Sequence, residues 1–430
     1  MTIASHFQFR HGVLHAEDIP LTELAQSYGT PLYVYSRQAL RDAWDAYRQA
    51  IQGRDVLICY GMKANSNLAV LHEFHQLGSG FDIVSGGELA RVMAAGGDPA
   101  KVVFSGVGKQ SWEIRAALEA GVKCFNVESE GELERISSIA QEMGRRAPVS
   151  LRVNPDVDAH THPYISTGLK ENKFGIDIAH APRVYQHATR LPGLDIVGVD
   201  CHIGSQITEV SPYLDALEKL IQLIKTLQGQ GITLQHLDLG GGIGIRYTDE
   251  TPLTPSDLLS RVFESLDQHG LGHLQLVLEP GRSLVGNAGI LLTRVEYLKH
   301  NESKNFAIVD AAMNDLLRPT LYNAWHGVQS VRPRQGPDPA PRYDVVGPIC
   351  ESGDWLARDR ALHLEPGDLL AIMSAGAYAF SMASQYNSRP RPAEIMVDGD
   401  VAHVIRQREN IPGLFAGEQI VPRQPQADKK

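Results

Sequence analysis

Val56-Leu57-Ile58-Cys59-Tyr60-Gly61-Met62-Lys63-Ala64-Asn65-Ser66-Asn67 decides how this chain is read. Five apolar residues in a row, ended by a glycine, describe a strand buried on both faces, and the Ala-Asn-Ser-Asn stretch behind them starts a helix. Lys63 stands at the junction. A lysine amine at the mouth of a buried strand is costly to keep charged, so its pKa is expected to fall, and a neutral amine can form a Schiff base with an aldehyde. The alternative is an ordinary lysine whose stem lies on apolar surface while its head reaches water.

Outward from this stretch the pattern repeats. Apolar runs follow at Phe81 to Val84, Val102 to Phe104, Cys124 to Val127, Val149 to Val153, Ile196 to Cys201, Leu234 to Leu239 and Leu274 to Leu278, making eight with the first. Helical patterns separate them, among them Leu68 to Leu77, Glu88 to Ala95, Trp112 to Ala120, Glu130 to Met143, Tyr213 to Leu227 and Pro255 to Gln268. Eight buried strands linked by helices suggest an α/β fold, a closed (β/α)8 barrel of the TIM type rather than an open sheet. Active sites on that fold collect at the C-terminal strand ends. Polar residues stand there in every case: Lys63, Ser85, Ser105, Asn126, Asn154, His202, Gly240 and Glu279.

Beyond Gly286 the pattern changes to short strands broken by turns, at Ile290 to Tyr297, Phe306 to Val309, Tyr343 to Val346, Leu369 to Met373, Ala393 to Val397 and Val401 to Ile405. This predicts an all-β domain. Phe7 to Leu14 and Pro31 to Tyr35 are expected to pair with it. The division expected is therefore a strand-supplying segment over 1–35, a barrel over 36–285, a β-domain over 286–421 and a disordered tail over 422–430. Arg332 to Arg342, rich in proline, reads as a surface loop.

The 430 residues are 43% apolar and 21% charged, enough to bury a large core. The net charge of −10 is dispersed, which argues against nucleic acid or an anionic membrane as partner. With no signal-like start and no run near the ~20 apolar residues of a span, a cytoplasmic location is expected. Cys59, Cys124 and Cys201 sit in apolar runs and no CxxC occurs, so no metal site is expected.

The chemistry lies in four places. Asp238-Leu239-Gly240-Gly241-Gly242-Ile243-Gly244 follows the seventh strand, where barrels hold phosphate and where glycine lets N–H groups converge on an anion; tight turns use glycine too. Glu279-Pro280-Gly281-Arg282 ends the eighth. Glu279 there suits the pyridine nitrogen of a cofactor such as pyridoxal phosphate, for which Lys63 is the candidate anchor, and Arg282 suits a carboxylate; a Glu279–Arg282 salt bridge is the alternative. In Cys201-His202-Ile203-Gly204-Ser205, His202 can stack on that ring and Ser205 donate to phosphate, although a lone histidine is more often structural. Cys350, in Gly347-Pro348-Ile349-Cys350-Glu351, differs from the other cysteines in its polar, turn-rich setting and is either a catalytic thiol or a loop cysteine.

These motifs, with Arg152-Val153-Asn154-Pro155 through His160-Thr161-His162, Lys173-Phe174-Gly175-Ile176, Met313 to Pro319, Cys350 to Asp354 and Tyr378 to Tyr386, resemble the fold type III pyridoxal-phosphate decarboxylases, and among them the diaminopimelate decarboxylases. The match runs almost end to end. The resemblance implies that Lys63 carries pyridoxal 5'-phosphate and His202 stacks on it. It also implies that Gly242 and the turn from Glu279 to Arg282, with Gly281, bind the cofactor, and that Tyr378 lies against it. Gly241 and Ser205 join this cofactor set. Arg282, Arg318, Tyr322 and Tyr378 would grip substrate, while Cys350 and Glu351 reach into the site of a partner subunit, Cys350 as proton donor. A homodimer with shared sites follows.

A substrate with an amine and a carboxylate at both ends explains two arginines, Arg282 and Arg318, and Glu351 for the remaining ammonium. Ornithine- or arginine-type substrates leave one arginine without work, and a carboxynorspermidine-type decarboxylase is the closer rival. An inactive homologue is disfavoured by the presence of both Lys63 and Cys350, and a racemase by the full motif set. Asp156 to Lys173 is a candidate lid.

Overall fold

The computed structural model describes residues 6–158, 173–336 and 338–422. Eight parallel strands close on themselves in chain order: Val56–Gly61, Gly80–Ile83, Val102–Phe104, Cys124–Val127, Ala147–Asn154, Leu194–Asp200, His236–Asp238 and Gln275–Leu278. Closure comes from the pairing of the eighth with the first, Val277 beside Leu57. The interior carries Cys59, Val103, Cys124 and Val277 as a small apolar plug. Asn126 and Glu279 lie two residues beyond Cys124 and Val277, so they keep the inward face and sit nearer the C-terminal mouth. Register continues the polar layer around the wall: Arg152 pairs with Asp200, and Asp200 with Asp238.

The helices pack outside. Arg37–Ala50 shows why: Ser36 caps it by accepting from the Ala39 N–H at 3.0 Å, and Leu40, Ala43, Trp44 and Tyr47, spaced three or four apart, form one buried face. Such a stripe drives the helix onto the barrel.

The second unit is a mixed sheet. Its path runs Trp355–Ala361, Arg342–Val346, Asn305–Val309, Gly289–His300, Leu32–Ser36, Ala393–Asp398 and Val401–Arg406, with Leu369–Ile372 branching from Gly289–His300 and Val328–Ser330 pairing in turn with Leu369–Ile372. Separate apolar clusters cover its two faces, one around Tyr33, Leu291 and Ile372 and one around Leu14, Val34 and Ile395. Leu32–Ser36, from the N-terminal segment, lies centrally, antiparallel to Gly289–His300 and parallel to Ala393–Asp398.

Three expectations change. Phe7–Arg10 turns back at His11 and Gly12, both at positive φ, and pairs with Val13–Ala16 in a small three-stranded sheet of its own. The Leu14 N–H donates to the Val331 carbonyl at 2.8 Å and ties this sheet to the large unit. Ala181–Ala188 is a helix, and Trp355–Ala361 a strand, that the apolar pattern did not announce. Residues 159–172 of the candidate lid, the His160-Thr161-His162 motif and residues 423–430 of the tail lie outside the described residues. Among the described residues no helix is long and apolar enough to cross a membrane.

Candidate active site

Lys63 opens the site. Its 3-10 turn, Met62–Ala64, directly continues the first strand, and the amine stands 3.1 Å from Asp82 on the second. The expected fall in pKa is not found. The side chain keeps 40% of its surface in the open mouth, while Asp82 is fully buried, so attraction by the carboxylate outweighs desolvation and the Lys63 ammonium is held above the usual lysine range. Sequence reading missed Asp82. Its signal was a lone carboxylate inside the Phe81 to Val84 run.

At the end of the eighth strand, the Glu279 carboxyl accepts from Asn126 Nδ2 at 3.2 Å and lies 3.5 Å from Ser105 Oγ. It forms no salt bridge with Arg282. One oxygen each of Asp200, Asp238 and Glu279 falls within 4.8 Å of the others, all buried. The nearest compensating cation is Arg152, whose Nε is 4.0 Å from Asp200 and whose Nη1 donates to Glu128 at 3.1 Å. Burial pushes Asp238 up to about 7 against the opposing Gly240 N–H, and raises Glu279 well above the carboxylate range, with Asp238 adding to the effect. The cluster is therefore biased toward its protonated form.

His202 follows the sixth strand, and the Gly241 N–H donates to its Nδ1 at 3.2 Å. Nδ1, as an acceptor, carries no proton, and burial, then the nearby Lys63 charge, lowers the pKa well below the histidine range, both favouring the neutral ring. The glycines are required by contact: a Cβ on Gly241 would stand 2.1 Å from the Glu279 carbonyl, and one on Gly242, at φ +109°, 2.4 Å from the Gly204 carbonyl. The phosphate-candidate loop is thereby pressed between the ends of the sixth and eighth strands. Gly281 lies beside it, its Cβ position 2.8 Å from the Gly61 carbonyl.

Arg282 is buried, yet its partners are neutral: Nη1 donates to the Tyr247 hydroxyl at 2.6 Å and Nη2 to Ser205 Oγ at 3.1 Å, while Nε has no partner among the described residues. Its guanidinium also lies 4.8 Å from the Tyr378 ring. Arg318, in the short helix Arg318–Tyr322, is 7% exposed, reaches His326 at 2.9 Å and lies 4.9 Å from the Tyr247 ring. Burial lowers its pKa. Tyr322 ends the same helix. Tyr247 and His326 join the two arginines, and neither was singled out from the sequence, because Tyr247 meets Arg318 and His326 only through folding.

The β-domain docks directly on this cluster. The Tyr378 N–H donates to the Ala64 carbonyl at 2.8 Å, and Ser381 Oγ to the same oxygen at 3.2 Å. Cys350 and Glu351 are not brought to the barrel mouth of their own chain by any bond among the described residues. The Cys350 N–H donates to Asn387 Oδ1 at 3.3 Å, Glu351 accepts from the Tyr386 hydroxyl, and both residues are exposed. Two of the eight strand-end residues serve locally: Ser85 caps the helix Gly86–Ala94, and Asn154 Oδ1 accepts from the Asp156 N–H at 2.9 Å. Cys59, Cys124 and Cys201 are buried thiols.

A lysine, a buried carboxyl on the neighbouring strand, a glycine loop and two arginines without acid partners are gathered between a barrel and a β-domain, as suits a pyridoxal-dependent enzyme of fold type III. Residues 37–286 match the family described as pyridoxal-dependent decarboxylase, pyridoxal binding domain. The diaminopimelate decarboxylase of Pseudomonas aeruginosa is 60% identical over 97% of this chain and 99% of its own length. The diaminopimelate decarboxylase of Helicobacter pylori, solved in complex with L-lysine, superposes with a TM-score of 0.88 at 45% identity, covering 92% of this chain and 98% of that one. The enzyme from M. jannaschii, also solved with L-lysine, gives 0.91 at 37% identity over 97% and 98%. The chain belongs to the diaminopimelate decarboxylase family of pyridoxal-dependent decarboxylases.

Proposed function

We propose that this enzyme removes one carboxylate of meso-2,6-diaminopimelate as CO2 and releases L-lysine, the last step of lysine synthesis, with pyridoxal 5'-phosphate held in the barrel mouth. The observation that carries the reading is the pair of buried arginines, Arg282 and Arg318, neither of which has a carboxylate partner among the described residues. A buried cation without an anion is costly, and ligand anions would remove the cost.

The donor set fits the cofactor. Lys63 offers an amine for its aldehyde, and Asp82 at 3.1 Å is positioned to hold the proton that the amine must give up. Gly242 and Gly281 bring backbone N–H groups to the loop without a side chain to obstruct phosphate, Gly241 is committed to His202 Nδ1, and Ser205 and the unpartnered Nε of Arg282 are further donors. Glu279 would keep a proton between its carboxyl and the pyridine nitrogen, and neutral His202 offers an uncharged face to the ring, with Tyr378 beside it. Bound pyridoxal phosphate supplies a conjugated sink for the electron pair freed when the bond from the α-carbon to its carboxylate breaks.

Arg318 and Tyr322 then hold the distal carboxylate, and Glu351 of the partner subunit the distal ammonium. Cys350 of the partner subunit delivers a proton to the α-carbon. In this reading the molecule is a homodimer in which each barrel is completed by the other chain's β-domain. The test is to assay the purified holoenzyme with meso-diaminopimelate for lysine and CO2 in equal amounts. Turnover of ornithine or carboxynorspermidine at higher kcat/KM would replace the reading.

A further inference from the structure

We propose that His326 is a positioning residue for substrate: it fixes the aim of Arg318 while leaving that guanidinium's charge uncancelled. The inference rests on the reading of Arg318 as the grip for a substrate carboxylate.

His326 is fully buried and pinned at both ring nitrogens. Nδ1 lies 2.8 Å from the Met373 carbonyl, an acceptor, so the ring must carry its proton there and donate. That leaves a lone pair on Nε2, which accepts from Arg318 Nη1 at 2.9 Å. A second ring proton would set two donors face to face, and burial together with the Arg318 charge pushes the histidine down to about 3. The ring cannot swing away. It stands edge-on to Tyr247 at 5.4 Å, and the Met373 N–H donates to the Gly327 carbonyl at 2.8 Å, locking its backbone support. The His326 carbonyl is held in turn by Arg360 Nη2 at 3.0 Å.

The choice of a neutral partner matters. An aspartate or glutamate in this place would orient Arg318 equally well but would neutralise it, and a substrate carboxylate would then gain little. Imidazole as acceptor gives direction without charge. One Nη is committed, so the remaining edge of the fork is presented to a ligand. Tyr247 has the same character on the other side, holding Arg282 through its hydroxyl while its ring lies against Arg318.

The experiment compares holoenzymes of wild type, His326→Leu and His326→Gln. Steady-state kinetics use meso-diaminopimelate. Calorimetric binding uses pimelate, a dicarboxylate of the same carbon length with no amine to condense with the cofactor. Cofactor absorbance and melting temperature are recorded for each. Losing a hydrogen bond to a charged group is worth about tenfold or more in binding. His326→Leu should therefore raise KM and the pimelate Kd about tenfold with kcat within about threefold and cofactor absorbance unchanged. His326→Gln, whose carboxamide can accept from Arg318, should recover most of that loss. Equal pimelate affinity in wild type and His326→Leu, or a fall in kcat at unchanged KM, or a glutamine variant no better than leucine, would each overturn the proposal. Absence of turnover by wild type with pimelate still bound and weakened by His326→Leu would remove diaminopimelate as the substrate and leave the positioning role standing.

Discussion

An ammonium 3.1 Å from a buried carboxylate keeps its proton, and Lys63 must lose that proton before it can attack an aldehyde. Asp82 thus has two opposed effects: it stores the proton and it delays the amine. Replacing Asp82 by Asn removes the largest cause of the raised pKa and leaves burial, which acts downward, as the next largest, ahead of the upward pull of Tyr378 and Glu279. The neutral fraction of Lys63 at any pH below its pKa should then rise. We expect Asp82→Asn protein freed of cofactor to condense with added pyridoxal phosphate faster than wild type at pH 7 to 8, with the midpoint of the rate–pH curve moved to lower pH. Stopped-flow absorbance reads this, and an unchanged midpoint would show that Asp82 does not control the amine. Lys63 itself was legible because a charged residue interrupts a buried run. The sign of its pKa shift was not, because it depends on a neighbour nineteen positions along that only strand pairing brings close. Tyr247 and His326 were illegible for the same reason: one follows the glycine loop, the other lies in the β-domain, and they meet only through folding.

At the level of elements, the loop after the seventh strand is the most constrained part of the barrel mouth. Its place between the sixth and eighth strand ends leaves no room for a Cβ at Gly241, where the obstacle is the Glu279 backbone rather than a movable side chain. Gly241→Ala must shift the loop or the Glu279 turn, both proposed to hold the cofactor. We expect pyridoxal phosphate affinity to fall at least about tenfold, read by absorbance titration, while far-ultraviolet circular dichroism stays that of the wild type. Unchanged affinity would separate this loop from the phosphate. The eight barrel strands could be read from the sequence because their outward residues are apolar and pack on helices, and in four of them Cys59, Val103, Cys124 and Val277 add an apolar inward residue. Trp355–Ala361 could not. It pairs with one neighbour, its register slips twice against Arg342–Val346, and its Arg358, Asp359 and Arg360 break the alternation that marks a half-buried strand.

For the whole molecule, the separation of Cys350 and Glu351 from the barrel mouth of their own chain makes assembly a requirement of the proposed chemistry. Lys63→Ala and Cys350→Ala proteins should each be inactive. Mixed under conditions of subunit exchange, half of the dimers are hybrid, and one of the two sites in each hybrid has both residues, so about a quarter of wild-type activity should return. No recovery, with exchange demonstrated by mass spectrometry, would place both residues in one chain's site. At this scale the sequence was informative about the two units and silent about their contact, since the Tyr378 and Ser381 bonds to Ala64 join loops more than three hundred residues apart.

The central place of Leu32–Ser36 in the β-domain sheet has a consequence for biosynthesis. That strand leaves the ribosome early, yet one of its two neighbours, Ala393–Asp398, is made about 360 residues later, some 20–70 s at ordinary rates of translation. During that interval the whole barrel can emerge and close, while an apolar strand waits with an unpaired edge, the condition under which nascent chains recruit chaperones. The sheet is the last part of the molecule to become whole. The loop that rests on Ala64 is made about 310 residues after it, so the anchor lysine is built early and roofed late.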